Sequence, residues 1–145
     1  MTTFEPCLWS IGHSERERLQ IVLLSKPADL VREGLDWVSA EASIQAGGFR
    51  GHSPLYLTRG DLDTFLAEAE RLYAELSGSA TFRTIEEQLE FTVQANALGQ
   101  LTTHGYLMDS AGTGNKLAFH LALDQSLLKR TISVLRSALK ALSNT

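Results

Sequence analysis

Apolar residues recur with two periods along this chain, and the switches between them mark its elements. From Trp37 to Ala46 the period is two. Val38, Ala40, Ala42, Ile44 and Ala46 share one side; Trp37, Ser39, Glu41, Ser43 and Gln45 share the other. That alternation predicts a strand with one packed face and one wet face. Gly47-Gly48 suits a tight hairpin, and residues 49–57 form the returning strand. Pro54 removes a ladder donor there, which places the strand at a sheet edge or a bulge. Over residues 61–76 the period becomes 3.6. Leu62, Phe65, Leu66, Ala69, Leu72, Tyr73 and Leu76 make one stripe, the mark of an amphipathic helix. Thr58 or Asp61 can cap its start, and Gly78 stops it.

The flanking segments follow the same logic. Leu19, Ile21 and Leu23 alternate and predict a strand over 18–24. Residues 1–16 read as irregular, because Pro6 and Gly12 interrupt any regular element. Residues 25–34 read as a loop with a helical turn at 28–32. Beyond the helix, 80–84, 89–97, 100–108 and 116–123 read as strands, with a flexible loop at 109–115. Asp124 caps a second helix striped by Leu127, Leu128, Ile132, Leu135, Leu139 and Leu142. Only 143–145 read as a frayed tail. The order is β-β-β-α-β-β-β-β-α, with no internal sequence repeat. Short connections favour antiparallel pairing. The expectation is a single two-layer α+β domain over residues 1–145, with two amphipathic helices on one face of a mostly antiparallel sheet.

Composition narrows the class. A chain of 145 residues is long enough for a core without staples, and its single Cys7 cannot form an intrachain disulfide. The net charge of −4 comes without a basic stripe, so nucleic acid is not the expected partner. The mildly acidic balance weakly favours a basic partner. No basic n-region opens the chain, and no apolar run approaches the roughly 20 residues that span a bilayer. The default expectation is a cytoplasmic protein with no membrane contact.

No catalytic, cofactor or metal constellation emerges. SAGTGNK (residues 110–116) resembles a phosphate loop only in part, because a strand pattern, not a helix, follows it. His13, His52, His104 and His120 show no metal-ligand spacing. His104 and His120 share outward parity in successive strands, and with Glu90 they define a low-ranked enzyme alternative. Cys7 has apolar flanks and no base that can be placed beside it. Glu86 and Glu87, with Glu90, crowd one segment rather than oppose each other across a cleft. The distinctive feature is a polar sheet face. Ser39, Glu41, Ser43, Thr92, Gln94, His104, Tyr106 and His120 all take outward parity and form a candidate partner-binding surface. A solvated sheet face is the simpler reading.

One family matches this arrangement. The GGF turn, the helix DLDTFLAEAERLYAEL, Gly78, Gly99 and the segment LAFHLALDQSLLKRTISVL resemble the WapI-type immunity proteins. The resemblance runs from residue 37 to residue 142 and leaves the first 36 residues unmatched. It implies a non-enzymatic cytoplasmic bacterial protein that binds and neutralises a cognate protein toxin. None of its signposts is catalytic, and no inhibitory residue carries over. The alternative from another class is a homo-oligomeric module, such as a homodimer, burying the polar face or the edge at Pro54.

Overall fold

The alternating segments pair in sequence order into two separate ladders. The computed structural model describes residues 6–14, 16–25 and 36–143. Strands β1 (Cys7–Ser14), β2 (Glu17–Ser25), β3 (Trp37–Ala46) and β4 (Phe49–Thr58) form the first sheet in that order. Helix α1 (Arg59–Glu75) leads into β5 (Ser79–Arg83), β6 (Leu89–Ala95), β7 (Leu101–Met108) and β8 (Lys116–Leu123), which form the second. Helix α2 (Gln125–Ser143) closes the chain. All six strand pairings are antiparallel. Four strands and a helix therefore occur twice in an α+β fold, although the sequence itself does not repeat.

The structure corrects the reading of the N-terminus. Cys7–Ser14 is a strand, in register with β2 through Trp9↔Ile21 and Ile11↔Leu19. Gly12 does not break it. Its φ of +125° accompanies a register shift, and a Cβ there would lie 2.2 Å from the Glu17 carbonyl oxygen. The glycine lets two strands approach closely at a bulge. The expected single sheet is likewise divided in two, because no strand of β1–β4 pairs with any strand of β5–β8. The expected helical turn at 28–32 lies outside the described residues, as do residues 144 and 145 of the expected tail. Residue 143 belongs to α2.

The helices begin and end for identifiable reasons. Thr58 and Asp61, alternatives in the sequence, act together. The Asp61 amide donates to Thr58 Oγ1 at 3.1 Å, and the Thr58 amide donates to Asp61 Oδ2 at 2.8 Å. This is a reciprocal capping box. Burial raises the Asp61 pKa, and the two bonds to Thr58 oppose that rise. At the other end Leu76, not a glycine, takes the left-handed position, with φ at 52°. Its amide bonds to the Leu72 carbonyl. Asp124 caps α2 by accepting from the Leu127 amide at 2.8 Å.

Both inner faces and both helices share one core. At its centre Trp9 of β1, Phe65 of α1, Phe82 of β5 and Phe91 of β6 are in mutual contact. Their six centroid separations lie between 5.2 and 6.3 Å. Tilted and edge-to-face pairs dominate, as ring quadrupoles favour. Gly105 faces this group from β7, where a Cβ would fall 2.7 Å from Cβ of Phe91. A buried polar bridge also ties the sheets. Gln88 Nε2 lies 2.7 Å from Ser53 Oγ and 3.0 Å from the carbonyl oxygens of Pro54 and Met108.

The sheet edges are protected. Thr131 of α2 donates to the Ser10 carbonyl on β1 at 2.7 Å. Glu68 of α1 accepts from the Thr81 amide on β5 at 3.0 Å. β8 packs against β1, β2 and β3. β4 is an edge strand carrying Pro54, as its sequence requires.

Candidate functional site

The eight candidate residues do face outward, but they divide between the sheets. Ser39, Glu41 and Ser43 lie on β3 of the first sheet. Thr92, Gln94, His104, Tyr106 and His120 lie on β6, β7 and β8 of the second. No strand pairing joins the two groups. Parity alone made them look like one surface.

The face of the second sheet is organised in cross-strand rows. Thr81, Thr92, His104 and His120 form one row; Arg83, Glu90, Tyr106 and Ala118 form the next. Thr92, His104, Tyr106 and His120 line one open depression, together with Glu90 and Lys116. Gln94 lies outside it. The polar groups here largely satisfy each other. Arg83 is ion-paired with Glu90. The Thr81 and Thr92 hydroxyls are 2.9 Å apart. Tyr106 donates its hydroxyl to the Glu87 carbonyl at 3.0 Å, and Lys116 Nζ stands 4.0 Å from the centre of its ring. Burial, followed by the Glu90 and Glu87 charges, raises the Tyr106 pKa, so the phenol remains a donor.

This arrangement bears on the enzyme alternative. His104 and His120 are true cross-strand partners. Glu90 belongs to the neighbouring row and is held by Arg83. Among the described residues, no three of His, Cys, Asp and Glu are grouped to hold a metal ion. Nor is any helix among them long and apolar enough to cross a membrane.

The face of the first sheet is less self-contained. Ser39 is tied to β2, its hydroxyl 2.6 Å from that of Ser25. Glu41 Oε1 lies 3.7 Å from His52 Nδ1. Ser43 stands between Gln20 and His52 in its row. It shares a shallow depression with those two residues, Arg18, Gln45 and Arg50. Arg18, Arg50 and His52 were not among the expected site residues. Their signal was available, since Arg18 and Gln20 alternate with Leu19 and Ile21 just as Ser43 alternates with Ala42 and Ile44.

Comparison with known proteins places this fold. A solved structure of the plant transcriptional regulator PBF-2 superposes with a TM-score of 0.53 and 11% identity. The match covers 99% of this chain and 85% of that one, and it shows a shared fold. No curated protein matches the chain in sequence. The profile of the Immunity protein WapI-like family matches residues 10–143, reaching into β1 and across β2, where the resemblance had stopped at residue 37. The chain belongs to the WapI-like immunity protein family.

Proposed function

We propose that this chain binds a cognate bacterial toxin in the cytoplasm and neutralises it without catalysis. The observation that carries the reading is family membership over residues 10–143. The architecture supports it. Inner faces and helices are committed to one core, and two broad outward sheet faces remain available for contact. Ser39, Glu41 and Ser43 on one face, and Thr92, Gln94, His104, Tyr106 and His120 on the other, are the proposed contact positions. The chain supplies recognition surfaces of the kind a protein partner uses, polar with Tyr and Arg among them. The test is co-expression with the toxin encoded by the adjacent gene. Restored growth of the host supports the reading; unchanged toxicity at equal expression of a folded chain refutes it.

A further inference from the structure

The second sheet sets two imidazoles side by side. His104 of β7 and His120 of β8 are direct cross-strand partners, and both are exposed on the outward face. The hydrogen-bonding phase of the ladder fixes how close they come. The Asp109 amide donates to the Asn115 carbonyl at 3.1 Å, so that pair is hydrogen-bonded. Hydrogen-bonded and non-hydrogen-bonded pairs alternate along an antiparallel ladder. The register from Met108↔Lys116 back to His104↔His120 is unbroken, so the histidines fall on a non-hydrogen-bonded pair. The β6 ladder agrees. There the Met108 amide donates to the Gln88 carbonyl at 2.8 Å, a phase that turns the His104 backbone toward Thr92 and away from His120. Non-hydrogen-bonded partners have Cα atoms about 4.5 Å apart and the closest side chains in a sheet.

The surrounding groups leave this pair to itself. Neither imidazole has a hydrogen bond or an ion pair among the described residues. Arg83 takes Glu90, the Thr81 hydroxyl takes that of Thr92, and Lys116 stands over Tyr106. On β8 the outward neighbours of His120 are Ala118 and Ala122, which leave the space beside its ring open. Both rings line the depression on this face. His52 on the first sheet differs. It lies 3.7 Å from Glu41, and its cross-strand partner is Ser43.

Neutral imidazole is a ligand for late first-row divalent ions. Metal–nitrogen bonds of about 2.0–2.1 Å hold two donors on one ion roughly 3 Å apart. Side chains rooted on Cα atoms about 4.5 Å apart converge to that separation without backbone movement. We propose that His104 and His120 form a two-point chelate for a late first-row divalent transition-metal ion, copper(II) above nickel(II) and zinc(II). Water fills the remaining positions, because no third protein ligand is grouped with the pair among the described residues. Two nitrogen donors without a carboxylate are a poor site for magnesium or calcium, which take oxygen ligands. The site is independent of the toxin-binding reading and is tested on the chain alone.

The test titrates the full chain, free of any affinity tag, with copper(II) in a calorimeter at a pH where imidazole is neutral. Magnesium is titrated in parallel. His104→Ala and His120→Ala are compared with His52→Ala, all three at exposed positions. Circular dichroism melts confirm folding; if either alanine variant melts early, the asparagine variant replaces it. Wild type should bind one copper per chain. Either variant of the pair should lose about a hundredfold in affinity, because the second donor of a linked pair binds intramolecularly. His52→Ala should change affinity by less than about threefold. Electron paramagnetic resonance of the bound copper should show coupling to two imidazole nitrogens in wild type and to one in each variant of the pair. Copper held as tightly by His104→Ala or His120→Ala as by wild type overturns the chelate. So does a loss confined to His52→Ala, or magnesium bound as tightly as copper. None of these outcomes touches the toxin reading, and a chain that binds no toxin leaves the metal site standing.

Discussion

Replacing Trp9 with alanine tests the packing logic of the whole fold. Trp9 is 1% exposed and touches three rings, those of Phe65, Phe82 and Phe91. Truncating a buried Trp costs about 3–5 kcal/mol, combining lost transfer energy with the cavity left behind. The whole net stability of a domain is about 5–15 kcal/mol, so the loss is a large share. For a chain of this length each kcal/mol moves Tm by about 4 °C, which gives a fall of about 12–20 °C. Melting followed by circular dichroism, with a parallel urea titration, reads this directly. Leu8→Ala is the matched control. Leu8 is the adjacent residue, points outward and is 49% exposed, so its loss should stay within about 1 kcal/mol. Equal effects at the two positions, or a loss below about 1 kcal/mol for Trp9→Ala, would refute the placement of β1 in the core.

Other perturbations probe single interactions. Gln88→Met removes the donor shared by Ser53, Pro54 and Met108. It should cost about 1–3 kcal/mol in urea titration, because buried acceptors are left unpaired; an unchanged midpoint would show that the bridge is not structural. Thr103→Val should stabilise the chain by about 1 kcal/mol, since the buried Thr103 hydroxyl has no hydrogen-bond partner among the described residues. A lower Tm would contradict that. Asn115 donates to Asp109 from its side chain at 3.0 Å and its backbone at 2.7 Å, and these bonds lower the Asp109 pKa. A lowered carboxyl pKa contributes stability above its unfolded value, and the contribution vanishes as pH falls through the folded value. Asn115→Ala should therefore lose less stability than wild type as pH falls through and below the ordinary carboxylate range. Parallel acid limbs for the two proteins would count against this.

Much of the fold was legible because alternation and helical periodicity record which side of an element is buried. The inward sets of β3, β6 and β8 and the stripes of both helices follow from spacing, except that Tyr73, expected on the stripe of α1, is exposed. The N-terminal strand was hidden because Gly12 looks like a breaker in sequence, whereas the structure uses it for a close approach to Glu17. The split into two sheets was hidden for a different reason. Parity assigns a residue to a face but not to a sheet, so Ser43 and His104 appeared to be neighbours. The strand pairings separate them, since the ladder of β1–β4 does not join that of β5–β8. The left-handed Leu76 has no sequence signal, because its conformation is imposed by the bond to Leu72. The site was legible in part. Outward parity holds for all eight residues, while Arg18, Arg50 and His52, which share the depression on the first sheet with Ser43, were not singled out.

The proposed function is recognition of a toxin rather than catalysis. Calorimetric titration of the purified chain with the purified toxin domain from the adjacent gene tests it most directly. The account predicts a saturable complex of nanomolar affinity whose formation abolishes toxin activity in the same tube. No heat of binding, with full toxin activity in the presence of excess folded chain, would contradict it.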